Sequence, residues 1–470
     1  MIMNSTARLV TLQNLLDSKE NIADYFYHET LAPHVKDRGG LTPVPAEFTN
    51  WFEEQRAWRE SAILFDQSHH MPELFLKGPD AFRLLNYIGI NSFENFKPGK
   101  AKQFVGCNHQ GQIIGECVVY YHEDESFELI SGMHLLNWVQ YNIETGGYDV
   151  TFERDQPTYM NPNGRRKFRF GMDGPNAEKI FREGIEKGAP EIPFFNFASV
   201  KIAGIDVHAL RHGMAGHKGV ELSGPYEHME TVRAAILKAG EKYGLRRGGT
   251  TTYFSAIAES GWMPYPLPAI YTSEELRPYR EWLPASSWEA NSQLGGSFYS
   301  DNLEDYYVTP YDMGYDRIIK FDHDFIGRAA LERLSGNSSR RTNVTLVWNK
   351  DDVATIFASL VGTGPVFKHL KLPMASYSFQ QNDEVRNLKG ELVGLSNFCG
   401  YSANEKEILS LAIIDIEHAA PGTEVTLVWG EPDGGSRKPH VEPHTQMTVR
   451  AIVAPAPYSK SVQAMKRSSL

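Results

Sequence analysis

The sequence predicts an α+β body followed by a small all-β C-terminal domain, and three observations carry that prediction. Before about residue 335, short alternating runs are separated by single helical patterns, without the long strand–helix–strand series of a doubly wound sheet. After Arg340 only short alternating runs remain. A chain of 470 residues with 41% hydrophobic content can bury one large core or two ordinary ones. The division expected is an N-terminal arm over 1–45, a body over 46–335 and a β-barrel domain over 336–470.

The arm has weak periodicity and ends in Gly39, Gly40, Pro43 and Pro45, which predicts a partly helical segment and then a turn. From Glu47 to Arg59 the aromatics Phe48, Trp51, Phe52 and Trp58 fall near helical spacing, so an amphipathic helix is expected there. Alternation over Glu73 to Lys77, then Gly78-Pro79, then an apolar-periodic run from Ala81 to Ile88 reads as strand, turn, helix. Strands are expected at Ile113 to Tyr121, Phe127 to Ser131, Lys167 to Met172 and Val200 to Leu210, with helices after Gly132 and Pro175. Met229 to Tyr243 reads as a helix ended by Gly244. The stretch from Pro264 to Asp312, rich in Pro, Ser, Tyr and Trp, reads as a long ordered excursion of the kind that often carries function. The C-terminal strands are expected at Thr342 to Trp348, Leu392 to Ser396, Leu409 to Ile414, Glu424 to Trp429 and Met447 to Val453.

Composition narrows the function. No run of about eighteen apolar residues occurs, and Met1 to Val10 lacks the regions of a secretory signal, so a cytoplasmic protein is expected. A formal charge of −11 without a Lys/Arg-rich run disfavours nucleic acid and anionic membrane as partners and leaves a small molecule. Cys107, Cys117 and Cys399 are too few and too scattered for a disulfide framework and read as buried thiols. Aromatic content of 12% permits a pocket for planar rings, although large aromatics are more often core.

Motifs exclude several chemistries. A phosphate loop, a dinucleotide-binding glycine motif, a His-Glu-x-x-His pair and a Gly-x-Ser-x-Gly elbow are all missing. His69-His70 and Asp322-His323-Asp324 could suggest metal, but neighbours on a strand point to opposite faces, so no metal is expected at either place. The most unusual stretch is Arg211-His-Gly-Met-Ala-Gly-His-Lys-Gly-Val-Glu221. Its glycines allow close approach of backbone to a ligand, and a semi-buried Glu221 could accept two N–H bonds from a flat heterocycle; the plainer reading is a glycine-rich hairpin with a solvated carboxylate.

That stretch resembles the Arg-x-Gly-x-x-Gly-x-x-Gly-x-Glu segment of folate-dependent aminomethyltransferases, the superfamily of the glycine-cleavage T-protein. Further landmarks follow in the family's order: Phe65-Asp-Gln-Ser-His-His-Met71, Asp173-Gly-Pro-Asn-Ala177, Glu259-Ser-Gly-Trp262 and Asp324-Phe-Ile-Gly-Arg-Ala-Ala-Leu331. The resemblance spans roughly residues 45 to 455. Within the superfamily, Ala57-Trp-Arg-Glu-Ser-Ala62, Tyr265-Pro-Leu-Pro-Ala-Ile-Tyr271, Arg280-Glu-Trp-Leu-Pro-Ala285 and Glu304-Asp-Tyr-Tyr-Val308 are similar to the tetrahydrofolate-dependent aromatic O-demethylases acting on vanillate, 3-O-methylgallate and syringate. The same scaffold hosts a sesamin-converting enzyme that passes a methylenedioxy carbon to tetrahydrofolate.

The resemblance implies a three-part cloverleaf of two α+β subdomains and a C-terminal barrel, with tetrahydrofolate as cofactor in the central hole. It implies Tyr253 as the acid that protonates the departing aryl oxygen, Glu221 as the carboxylate for the pterin N–H groups, and Trp262 as an aromatic packing near the cofactor. Asp173 stands where the family has a cofactor-side glutamine, and His70 matches a substrate-side histidine, with His69 leaving a one-residue ambiguity. Gly115, beside Glu116, stands where glycine-cleavage enzymes carry their acid, which disfavours that reaction. Two departures bear on substrate: Gly132 replaces an arginine that pairs with the substrate carboxylate, and Thr42 replaces a tyrosine. Both enlarge the pocket, and the lost charge-assisted contact removes what would offset desolvation of a carboxylate. A neutral, bulky aromatic ether is therefore expected, sesamin-like or a larger methoxyarene. The alternatives are a vanillate- or syringate-type substrate, an aminomethyltransferase partner of a lipoyl protein, and a folate-binding regulatory protein.

Overall fold

In a computed structural model, residues 10–30, 43–130, 132–185, 191–213, 218–336, 340–375 and 377–468 are described. Thr42 lies outside them. Alternating hydrophobic runs in the body pair into two sheets. The first has six strands in the order Leu245–Gly248, Ala62–Asp66, Lys167–Asp173, Val220–Pro225, Ile205–Leu210 and Phe197–Ile202. Its first pair is parallel and the remainder antiparallel. Phe168, Phe170 and Met172 alternate along the third strand and pack with Ile180 and Ile236 of the helices Ala177–Gly184 and Met229–Gly240. The opposite face of that strand carries Lys167, Arg169 and Gly171, which is the face that matters for function.

The second sheet is antiparallel throughout, in the order Lys100–Cys107, Ile113–Tyr121, Phe127–Ile130, Glu73–Lys77 and Thr151–Asp155. The helices Ala81–Ile88 and Met133–Thr145 supply Leu84, Leu85, Leu136 and Val139 to its core. The short helices Leu12–Asp17 and Ile22–His28 join the same core through Leu12, Leu16 and Phe26, so this part of the arm is packed down. After residue 340, six strands close a barrel in the order Arg341–Trp348, Glu407–Asp415, Leu392–Ser402, Asp383–Arg386, Glu424–Trp429 and Met447–Ala454. Two body sheets and a closed C-terminal barrel are the α+β architecture expected.

The differences from the sequence-based expectations have local causes. The stretch Val200 to Leu210 is not one strand but a hairpin, because Ala203 and Gly204 both take left-handed backbone, with φ of 51° and 80°. That pair matches the twist of the flanking strands, but an alanine gives no turn signature in sequence. The helix expected from Glu47 begins at Trp51, where Asn50 caps it by accepting from the Glu53 N–H at 3.0 Å. Met229 to Tyr243 splits into an α-helix to Gly240 and a 3-10 turn that ends on Gly244, φ 71°.

Candidate functional site

A cavity of about 1790 Å³ opens where the inner faces of both sheets meet the long excursion and an edge of the barrel. His70, Gly132, Glu221, Tyr253 and Trp262 all line it. Asp173 does not. It is buried at the end of its strand, directly under Gly219, where an added Cβ would come within 2.4 Å of its Oδ1.

Tyr253 sits on the short helix Thr250–Ser255, whose start is fixed by the fully buried Glu54. Glu54 Oε2 accepts from the Gly249 N–H at 2.8 Å and from the Thr252 hydroxyl at 2.6 Å. Residue 249 must be glycine, because a Cβ there would fall 2.1 Å from the Ala46 carbonyl oxygen. The Tyr253 hydroxyl accepts a hydrogen bond from Gln67 Nε2 at 3.3 Å, which leaves its own proton to be given elsewhere. Burial pushes the phenol upward from its ordinary value, so it stays protonated at neutral pH.

His70 stacks edge-on against Tyr253, ring centroids 5.1 Å apart, and also lines the cavity. His69 turns the other way: it is buried, its Nδ1 lies 2.9 Å from the Thr158 hydroxyl and its Nε2 is 3.7 Å from Asp66. The turn at 68–70 thus assigns the cavity position to His70.

Glu221 is held from behind. Its Oε1 accepts from the Tyr120 hydroxyl at 3.0 Å and forms a short ion pair with Arg169 Nη1. Arg169 is itself buried and bonds Glu73 at 3.0 Å and Glu128 at 2.8 Å, so one guanidinium on the first sheet ties together carboxylates from both. Such a buried charge cluster stays intact only when every member is paired. On the same wall His212 lines the cavity with a buried Nδ1 that has no hydrogen-bond partner among the described residues. Burial lowers that imidazole and keeps it neutral.

Trp262 is 39% exposed and follows Gly261, whose φ of 67° turns the chain there. Its indole N–H donates to Glu116 Oε1, which also accepts from the Tyr315 hydroxyl at 3.1 Å. Burial pushes the Glu116 carboxyl upward. Next to it, a Cβ at Gly115 would approach the Leu135 backbone nitrogen to 3.1 Å, so helix Met133–Thr145 occupies the space a longer side chain would need. Gly132, in contrast, is exposed at the start of that helix, and an added Cβ would meet nothing within 4 Å.

Of the two clusters weighed for metal, His323 bonds Asp322 and the Gly89 carbonyl, each at 2.9 Å. A third group, not singled out by the sequence, brings ligand atoms of His122, Glu128 and His208 within 4.8 Å of one another. Glu128 there is already paired with Lys167 and Arg169, which makes it part of the charge cluster.

Gln67 and Arg169 are functional neighbours that sequence reasoning passed over. Gln67 stands inside the quoted Phe65–Met71 motif, whereas Arg169 alternates with Phe168 and Phe170 and so reads in sequence as an ordinary outward-facing polar residue. Gln67→Leu is expected to lower kcat about tenfold, with substrate KM little changed, by freeing the Tyr253 hydroxyl to rotate. Steady-state kinetics on the variant would check this, and full wild-type kcat would remove Gln67 from the site.

The sequence profile of the GCVT N-terminal domain matches residues 24–267. Syringate O-demethylase from Sphingobium sp. (strain NBRC 103272 / SYK-6) is 43% identical over 450 residues, covering 96% of this chain and 96% of its own. The chain belongs to the GCVT family. Within that family it is also 30% identical to sesamin methylene transferase from Sinomonas sp. (strain No.22), over 83% of this chain and 86% of the relative. A solved structure, glycine cleavage system aminomethyltransferase T from Bartonella henselae, superposes with a TM-score of 0.57 at 16% identity, covering 88% of this chain and 90% of that one. The family fold is thereby established. Among the described residues, no helix is long and apolar enough to cross a membrane.

Proposed function

We propose that this protein removes a one-carbon unit from an aromatic ether and passes it to tetrahydrofolate, releasing a phenol or catechol, in the cytoplasm. The observation that carries the reading is Tyr253: a protonated phenol on the cavity wall, its oxygen engaged as an acceptor by Gln67 and its proton free. The names of the Sphingobium and Sinomonas relatives point to the same reaction type.

The residues present fit the cofactor. Glu221 reaches the cavity with one oxygen anchored by Tyr120 and Arg169, and the unpartnered His212 Nδ1 lies on the same wall. Glu221 would hold the pterin N–H groups and Trp262 would pack against the flat part of the molecule. When bound, tetrahydrofolate supplies N5 as the acceptor of the carbon. The chain does the remainder: Tyr253 gives its proton to the aryl oxygen as the carbon–oxygen bond breaks, turning a poor leaving group into a neutral phenol. His70 packs against Tyr253 and faces the ring of the substrate. Asp173 acts indirectly, from beneath Gly219. The arm, the body over 46–335 and the barrel domain over 336–470 are the units of this reading.

Glycine cleavage is disfavoured by Gly115, which helix Met133–Thr145 crowds. For substrate, the open space at Gly132 is compatible with a neutral, bulky ether, while Arg154, which also lines the cavity, favours the vanillate- or syringate-type alternative. The deciding assay incubates purified protein and tetrahydrofolate with syringate, vanillate, a neutral methoxyarene and sesamin, and follows phenol or catechol together with one-carbon folate by mass spectrometry. Folate-dependent product from at least one arene is expected; none from any of them would sink the proposal.

A further inference from the structure

Arg154 is a half-buried cation with no ion-pair partner among the described residues. It lies on the strand Thr151–Asp155, opposite Leu74, and lines the cavity. Just beyond that strand the Thr158 N–H donates to the His69 carbonyl at 2.9 Å, so the Arg154 wall runs beside the turn that presents His70. Its guanidinium touches only weak partners: Nη1 reaches Gln140 Oε1 at 3.3 Å and Nη2 reaches the Met133 sulfur at 3.4 Å. Its Nε is shut off from solvent and has no hydrogen-bond partner among the described residues. Among the described residues no carboxylate comes within the 4.0 Å of an ion pair. The acid whose field it feels, Glu289, is taken up by Asn137 at 2.9 and 3.2 Å and by His134 at 3.5 Å.

An amide oxygen and a thioether do not offset the cost of desolvating a guanidinium. Burial accordingly lowers Arg154 to about 10, which leaves it charged at neutral pH. A charge kept in a cavity wall with an idle N–H is suited to an anion that arrives with a ligand, and an arginine fork suits a carboxylate. Both weak partners lie on the helix that Gly132 opens, and Met133 is the very next residue. Arg154 thus brings a cation from the strand Thr151–Asp155 to the residue that follows Gly132.

We propose that Arg154 is the anion receptor of the substrate subsite and holds the carboxylate of a methoxyarene acid. This rests on the aryl-ether transferase reading above and deepens it. A carboxylate could also come from the glutamyl tail of tetrahydrofolate, and the test separates the two sources. Arg154→Met and Arg154→Lys are compared with wild type in calorimetric binding of syringate, of its neutral methyl ester and of tetrahydrofolate, and in KM for each. For Arg154→Met a loss of about tenfold to thirtyfold in syringate affinity is expected, with the ester and tetrahydrofolate changed less than about twofold. Arg154→Lys should recover part of the loss. Equal losses on acid and ester, or no loss on either, would overturn the assignment; a loss confined to tetrahydrofolate would give the cation to the cofactor and overturn it equally. If wild type binds syringate through Arg154 yet turns over no arene, the transferase reading fails and the anion subsite stands.

Discussion

Tyr253→Phe is expected to lower kcat for one-carbon transfer by about 10²- to 10⁴-fold, the usual worth of a positioned proton donor, with little change in the affinity for arene or cofactor. The expectation follows from what the substitution leaves. The ring keeps its edge-on contacts with His70 at 5.1 Å and Phe65 at 5.2 Å, so the wall of the cavity is unchanged. Only the hydroxyl goes, and with it the proton and the acceptor for Gln67. The sign of the pH dependence is also fixed. Burial raises the Tyr253 phenol, so its protonated, active form persists above the range of a free tyrosine, and its own ionisation should not depress wild-type kcat anywhere near neutrality. Single-turnover measurement on the variant separates chemistry from release. Retention of most of the wild-type rate would mean that the proton comes from another group.

Glu221→Ala should weaken tetrahydrofolate binding on the order of 100-fold, the loss of charge-assisted bonds to a flat N–H pair. The fold should survive. Arg169 loses one of three carboxylates but keeps Glu73 and Glu128, and Tyr120 keeps its 3.2 Å contact with Arg169. The guanidinium is therefore never left unpaired, which is the condition under which a buried charge becomes strongly destabilising. Fluorescence titration with tetrahydrofolate, together with the denaturation midpoint, tests both halves. Unchanged affinity would take the cofactor away from this wall; a collapsed midpoint would show that Glu221 serves the charge cluster more than the ligand.

The sequence by itself determined the elements in which one period dominates. The strands Glu73–Lys77, Ile113–Tyr121 and Glu424–Trp429 and the helix Ala81–Ile88 stand at the bounds read from the sequence; in Glu424–Trp429 and Ala81–Ile88 this is because one face is buried and the other is not. Strands such as Ala62–Asp66 were not legible, since a strand buried on both faces has no alternation to show, and Asp383–Arg386 is too short to stand out. The order of motifs along the chain pointed to Glu221 and Tyr253, because both are carried by local patterns with fixed neighbours, and both line the cavity.

Only the tertiary structure decided what pairs with what. Which of His69 and His70 meets the cavity depends on the turn at 68–70. The anchoring of Glu221 depends on Arg169, 52 residues away, and that of Arg169 on Glu73, 96 residues away. The contact of Arg154 with Met133, the residue after Gly132, could not be seen in sequence, because the two lie on different elements that come together only in the fold. Local periodicity encodes burial, which is a property of one segment against a mean environment. The balance of buried charges depends on the whole set of neighbours, and that set exists only once the sheets have come together.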